Sequence, residues 1–239
     1  EAGGEPKSPF VKIPAGFAKL FRSKLDWGYN SLHSRGDVRR DIVVPRGKML
    51  GGCSNMNAQI HQWCHPADFD DWAARGAKGW AWDDVCGTFA AQESLAGPSA
   101  PGRGRSGPMK VAPVANPHPL LKAYVTAARH VLVNSGDQYN GGGYEGAWIS
   151  EIAHQGGRRY SAYDAYLVPA RRRPSLQVLK GTEVSRILVK NGRSVGVEVQ
   201  RAGQSLTFHC DKGVILAAGA LGTPQLLLYS GIGPAQDLS

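Results

Sequence analysis

Between Arg46 and Asn57 the chain gathers Gly47, Gly51 and Gly52 with Cys53, Ser54 and Asn57, and apolar segments flank the run. Gly51-Gly52 removes two Cβ atoms in succession, so the backbone there can take positive φ or approach a flat or anionic ligand closely. Ser54 and Asn55 are good N-cap residues, and the run predicts a helix opening there with its N–H groups turned toward the glycines. The same residues also suit a tight turn packed on a neighbouring strand. Both readings, a ligand cradle and a turn, start from this stretch.

A chain of 239 residues can bury one large core or two small ones, and no apolar run approaches the ~20 residues of a membrane span. The net charge of +9 comes from arginine clusters at Arg39-Arg40, Arg103/Arg105, Arg158-Arg159 and Arg171-Arg172-Arg173. A nucleic-acid-binding domain would want them on one face, interleaved with aromatics or set in a known motif. They are scattered, so the reading is a solvated surface with one cluster at most near cofactor phosphates, and no nucleic-acid partner. The four cysteines, Cys53, Cys64, Cys86 and Cys210, lack metal-like spacing and read as reduced thiols of an intracellular, cytoplasmic protein. The sequence opens on Glu1-Ala-Gly-Gly without Met, which points to a segment upstream.

Taken in order, Pro14 to Phe21 reads as a short helix and Val38 to Val44 as a strand leading to the cradle. His65-Pro66 starts a helix in which Phe69 and Trp72 share a core-facing side. Asp83 to Glu93 is a helix with Val85, Phe89 and Ala90 as its buried stripe. Gly97 to Pro108, rich in Gly, Pro, Ser and Arg, is the candidate mobile segment or domain seam. Gly102-x-Gly104-x-x-Gly107 and Gly141-x-Gly143-x-x-Gly146 both match GxGxxG but follow no buried strand, so neither is a nucleotide fingerprint. Pro119 to Val133 reads as an amphipathic helix with Leu121, Tyr124/Val125, Ala128 and Val131/Leu132 on one side. Ala147 to Ile152 reads as a strand and Ser161 to Val168 as a helix capped by Ser161. From Leu176 the period becomes two, giving strands at 176–180, 184–190, 195–200, 206–210 and 214–217, with Asn191-Gly192 as a hairpin turn. Thr223-Pro224 then opens a helix ending near Ser230-Gly231.

His65-Pro-Ala-Asp-Phe-Asp-Asp-Trp72, Gly79-Trp-Ala-Trp-Asp-Asp84 and Gly219-Ala-Leu-Gly-Thr-Pro-Gln-Leu-Leu-Leu-Tyr-Ser-Gly-Ile-Gly233 complete a pattern with the cradle. Together they resemble the two signature regions of the glucose–methanol–choline (GMC) flavin oxidoreductases, and Gly157-Arg-Arg-Tyr-Ser-Ala162 resembles that family's middle region. The resemblance implies an α/β fold, part of a Rossmann-like FAD-binding domain with an inserted portion of the substrate domain. Residues 1–113 and 173–239 would belong to the first and 114–172 to the second. It implies FAD as cofactor and oxidation of an alcohol, choline-like or another primary alcohol, by hydride transfer to flavin. Carried over position by position, Gly51, Gly52, Cys53, Asn57 and Ala58 line the pyrophosphate and isoalloxazine. Glu1 becomes the acid that holds the adenosine ribose, Val184 offers backbone to the adenine, and Ala218-Gly219 passes the adenosine side.

The family's catalytic histidine lies beyond the second signature, so no catalytic residue is expected among the seven histidines here. His61, four residues past Asn57, is the tempting stand-in and is read as a packed or surface residue. Where many members carry an aromatic then Arg-Gly before the His-Pro step, this chain has His61-Gln62-Trp63-Cys64, which leaves that arginine's contact unfilled. Some members attach FAD through a histidine just before the signature asparagine. Met56 stands there, so the flavin is expected to bind without a covalent bond. No metal is expected. The expected partners are a small-molecule alcohol and either an oligomer or the remainder of the same protein. The alternatives are a truncated, non-catalytic flavin-binding or interaction module and, more remotely, a basic nucleic-acid-binding domain.

Overall fold

The computed structural model describes residues 1–35, 38–98, 101–131, 139–142 and 144–238. Its elements follow the chain closely at first. Helix α1 (Pro9–Lys12) starts on proline, and Ser8 Oγ accepts from the Phe10 N–H at 3.3 Å. A 3-10 turn follows at Pro14–Leu20, tighter than the α-helix that the proline start suggests. Val11 and Leu20 from these two turns pack with Met49 and Met56 in a small core, and Leu25 closes it. The glycine run is therefore anchored to the core by methionines on both sides of it.

Strands β1 (Tyr29–Arg35) and β2 (Val38–Val44) pair antiparallel, Tyr29 opposite Val44 and Arg35 opposite Val38. The sequence pattern marks β2 but not the more polar β1, which becomes a strand because β2 offers it a ladder. Helix α2 (Pro66–Ala74) carries a reciprocal cap: His65 Nδ1 accepts from Ala67 N–H at 3.1 Å, and the Asp68 carboxylate accepts from His65 N–H at 3.3 Å. It meets helix α3 (Trp82–Gln92) across Phe69, Trp82 and Phe89, whose ring centroids lie 5.6 to 6.1 Å apart. Phe69 is buried there, but Trp72, placed on the same face by the sequence, is half exposed at the margin.

Strand β3 (Glu93–Leu95) pairs parallel with β4 (Met109–Val111), and the segment between them corrects one expectation. Its described part at 101–108 is not loose. Gly107 N–H donates to Glu93 O at 2.8 Å, Leu95 N–H to Gly104 O at 3.0 Å, and Arg103 is buried. A Cβ on Gly104 would overlap Ala90 O, and one on Gly107 would overlap Gln92, so these glycines let the segment lie directly on the end of α3. The second GxGxxG match includes Gly143, which lies outside the described residues.

Helix α4 (Pro119–Val131) buries only Val125; Leu121, Tyr124 and Val131 of its expected apolar stripe are exposed. Its expected end at 132–133 lies outside the described residues. Of the strand expected at 147–152, only Ile152 pairs, bridging Ile60 and Ala112. Strands β5 (His154–Gln155) and β6 (Arg158–Arg159) form a short hairpin, followed by a π-helical turn at Tyr163–Leu167 and helix α5 (Val168–Ala170). Ser161 does fasten its start: its N–H and Oγ both donate to Asp164 Oδ2, at 2.9 and 2.8 Å.

Strands β7 (Thr182–Lys190), β8 (Arg193–Arg201) and β9 (Gln204–His209) form a meander. Asn191 and Gly192 turn between the first two with φ of 51° and 75°, as a type I′ turn requires. Helix α6 (Gly219–Tyr229) begins ahead of Thr223, and α7 (Ala235–Leu238) ends the described chain. Residues 176–180 and 214–217, expected as strands, belong to no strand, because a segment becomes one only with a ladder partner. Ile215 is accordingly 95% exposed. The fold is α/β.

Candidate functional site

The cradle is held from below by Asp26, a buried carboxylate that the sequence pattern gave no reason to single out. It accepts backbone N–H groups of Arg22, Gly28 and Arg46 at 2.7, 3.1 and 2.9 Å, and so fixes the approach to Gly47. Lys48 N–H donates to Leu25 O at 2.8 Å and Leu50 N–H to Gly4 O at 2.9 Å. Gly51 then turns with φ of +90° and Gly52 with φ of +49°.

The two glycines differ in what surrounds them. A Cβ on Gly51 would lie 2.5 Å from Asn55 Nδ2 and 2.7 Å from Tyr163 Cβ, whereas one on Gly52 would meet nothing within 4 Å. Gly52–Asn55 forms a single 3-10 turn with Gly51 as its cap. This corrects the expected helix opening: Ser54 and Asn55 lie inside the turn and work as staples. Ser54 Oγ donates to Gly51 O at 2.6 Å and accepts from Ala162 N–H at 3.1 Å. Asn55 is fully buried, donates from Nδ2 to Leu50 O at 2.7 Å, and leaves its Oδ1 without a partner.

Along the run, exposed and buried side chains separate. Cys53, Asn57 and Ala58 are exposed, while Asn55, Met56 and Gln59 are buried. Asn57 is nevertheless fixed, because its Oδ1 accepts from Gln59 N–H at 3.1 Å and from Arg159 Nη1 at 2.7 Å. Arg159, 2% exposed, also donates to Asn57 O at 2.6 Å, Ser54 O at 3.1 Å and Val11 O at 2.8 Å. Burial among these uncharged oxygens pulls its pKa down to about 10. The sequence reading counted Arg158-Arg159 as surface charge. The only available signal was the position of the pair within the run ending in Ser161-Ala162.

The N-terminal segment connects the cradle to the meander. Glu1 amine donates to Leu179 O at 3.2 Å, Thr182 N–H to Glu1 O at 3.0 Å and Gly181 N–H to Gly3 O at 3.1 Å. Glu1 thus lies two residues from Val184, which is half-buried in β7 opposite Val199. The Glu1 carboxylate itself accepts from Gly3 N–H at 2.7 Å. Ala218 and Gly219 open α6, which is tied to β7 by Ile187 N–H donating to Ser230 Oγ at 2.8 Å. Among the described residues no hydrogen bond joins Ala218 or Gly219 to the cradle. Beside the Glu1 edge, an open groove of about 250 Å³ is lined by Glu5, Arg171, Leu176, Val178 and Lys180. Arg171 above all, with Lys180 and Tyr163, holds the Glu5 carboxyl down to about 2.

His61 belongs to a second cluster. Its Nε2 lies 3.0 Å from Glu93 Oε2. Arg103 grips Glu93 with two bonds of 2.7 and 2.9 Å and reaches Glu151 at 2.8 Å. Burial raises the Glu93 pKa, but His61, Arg103 and the Gly104 N–H overcome it and hold the carboxyl at about 2. Arg103 also stacks 5.1 Å over the ring of Trp63. Among the described residues no group of His, Cys, Asp or Glu is arranged to hold a metal, and no helix is long and apolar enough to cross a membrane.

A family model described as GMC oxidoreductase matches residues 27–239. The chain is 39% identical over 241 residues to an oxygen-dependent choline dehydrogenase of Sinorhizobium fredii, covering all of this chain and 43% of that protein. Among solved structures it superposes on pyridoxine 4-oxidase from Mesorbium loti with a TM-score of 0.92 at 32% identity, over all of this chain and 47% of that one. It also superposes on a formate oxidase variant from Aspergillus oryzae, studied for FAD modification, with a TM-score of 0.89 at 26% identity. That match covers all of this chain and 43% of the other. The chain thus spans less than half the length of these relatives.

Proposed function

The chain belongs to the GMC oxidoreductase family, and from that premise we propose that it forms the FAD-binding portion of an enzyme that oxidises an alcohol. A choline-like or other primary alcohol is the proposed donor. Residues 1–113 and 173–239 are assigned to the cofactor domain and 114–172 to part of the substrate domain. The observation that carries the reading is the cradle itself: open space over Gly52, and an exposed row of Cys53, Asn57 and Ala58 on a turn anchored in the core. That shape suits a flat ligand at close range. Glu1 and Val184, two residues apart across one backbone pairing, suit the adenosine end. When bound, FAD supplies the hydride-accepting chemistry that side chains lack. The chain's own residues bind and orient: Gly51 and Gly52 let the ligand approach, Asn57 offers its amide, and Glu1 offers carboxylate oxygen.

Met56 is buried in the core beneath the turn, which favours FAD held without a covalent bond. His61 is engaged with Glu93 and is not assigned a proton-transfer role. The test uses the full-length protein. It should purify yellow, release its flavin to the supernatant on acid precipitation, and bleach when an alcohol substrate such as choline is added without oxygen. A colourless protein that takes up no added FAD would overturn the cofactor assignment. A yellow protein that no primary alcohol reduces would leave a flavin-binding module instead of an alcohol oxidoreductase.

A further inference from the structure

We infer that Arg159 is a positioning residue of the cradle. From inside the core it turns the Asn57 amide so that Nδ2 faces the ligand, backed by a positive charge that no carboxylate among the described residues bonds. The inference rests on the FAD reading above and adds what the site prefers: the ligand in its anionic, reduced form.

The orientation of an Asn amide follows from its partners. Two N–H donors, Arg159 Nη1 at 2.7 Å and Gln59 N at 3.1 Å, converge on one atom of the Asn57 side chain, which must therefore be the oxygen. Nδ2 is left for the exposed side, where Asn57 meets solvent and, in the proposal, the cofactor. An arginine can impose this because its planar fork binds two acceptors at once, and here it takes both Oδ1 and the main-chain oxygen of the same residue.

The charge follows from the same contacts. All four hydrogen bonds of Arg159 end on uncharged oxygens, those of Val11, Ser54 and Asn57. The nearby carboxylate, Asp164, is committed to Lys12 and to Ser161. Two cations and one anion leave a net positive charge beneath the turn. Burial weakens the guanidinium's hold on its proton, yet near neutral pH it remains charged. Flavin that has taken two electrons and one proton carries a negative charge, and a donor backed by a desolvated cation stabilises it over the neutral oxidised ring.

The full-length protein, as wild type, Asn57→Asp, Arg159→Lys and Arg159→Met, tests this by flavin midpoint potential and apoprotein thermal unfolding. Asn57→Asp keeps an oxygen for Arg159 and Gln59, so it should unfold close to wild type. It replaces the outward donor with an anion and neutralises the cation. The preference for reduced over oxidised FAD should fall at least tenfold, or about 30 mV for a two-electron couple. Arg159→Met should move the potential the same way, and Arg159→Lys by less. If Arg159→Met fails to fold, Asn57→Asp decides. An Asn57→Asp protein with an unmoved potential would overturn the inference while leaving FAD binding intact; a wild type that binds no FAD would fail the underlying reading instead.

Discussion

Two arginines are buried among the described residues, and they are buried in opposite ways. Arg103 has two carboxylate partners: Glu93, gripped at both oxygens, and Glu151. Arg159 has none among the described residues and is surrounded by carbonyl and amide oxygens. The surroundings push their pKa values apart. For both, burial favours loss of the proton; at Arg103 the two carboxylates more than offset it and raise the value, while at Arg159 it prevails. Arg103 is neutralised where it stands and serves the packing of α3 against the segment before β4. Arg159 remains a net charge beneath the cradle turn, where a Cβ on Gly52 would meet nothing within 4 Å. Ion pairing marks the structural arginine, and its absence marks the one with something left to offer a ligand.

The largest expected effect comes from breaking the paired side. Arg103→Met would strand Glu93, whose side chain is wholly buried, and Glu151, so urea unfolding should lose about 3–5 kcal/mol. Arg159→Met strands only uncharged oxygens, for which about 1–3 kcal/mol is the expected cost. Equal losses from the two substitutions would erase the distinction.

Acid should sharpen the same contrast. Glu93 sits at about 2 in the folded chain against an ordinary 4.5, so its contribution is complete above about pH 4.5 and is lost as pH falls toward 2. Glu5 adds to the slope in the same window, with Arg171 as the main cause. Arg159 has the opposite sign and a different window. Its folded pKa of about 10 lies below the ordinary guanidinium value, so its burial costs stability below pH 10 and the cost is relieved as pH climbs beyond it. Urea midpoints of wild type and Glu93→Gln between pH 5 and 2.5 check the acid limb. The variant should show a shallower fall, and parallel curves would remove Glu93 from the account.

Much of this was legible in the sequence, and the exceptions share a cause. Val38–Val44 matched as written, because β-branched Ile42, Val43 and Val44 with Val38 favour a strand. The Asn191-Gly192 turn matched because those residues accept positive φ. The cradle was visible as a run of glycines, and its exposed row fell on residues named from the family resemblance. What the sequence could not show is which of twin arginines turns inward, because Arg158 and Arg159 are chemically identical until β6 pairs and alternates them. Nor could it show that Asp26 and Asn55 are buried anchors, since short polar side chains read as turn formers when their acceptors lie elsewhere in the chain. The segment at 214–217 failed for a related reason: apolar character suggests a strand, but among the described residues nothing pairs with it.

The smallest expected stability effect lies within the glycine pair. At Gly51, φ of +90° combines with a Cβ position 2.5 Å from Asn55 Nδ2 and 2.7 Å from Tyr163, so Gly51→Ala should cost about 3 kcal/mol through backbone strain and overpacking together. At Gly52, φ of +49° is close to the left-handed helical region and the Cβ direction is open, so Gly52→Ala should cost only about 1 kcal/mol. That open direction is where the cofactor is proposed to lie. Gly52→Val in the full-length protein should therefore keep most of the apoprotein's thermal stability and still purify without flavin, because its branched side chain fills the space over the turn. Thermal unfolding and flavin absorbance on the same preparation give the answer. A fully yellow Gly52→Val would mean that the pair is only a turn, and that whatever binds here approaches from another side.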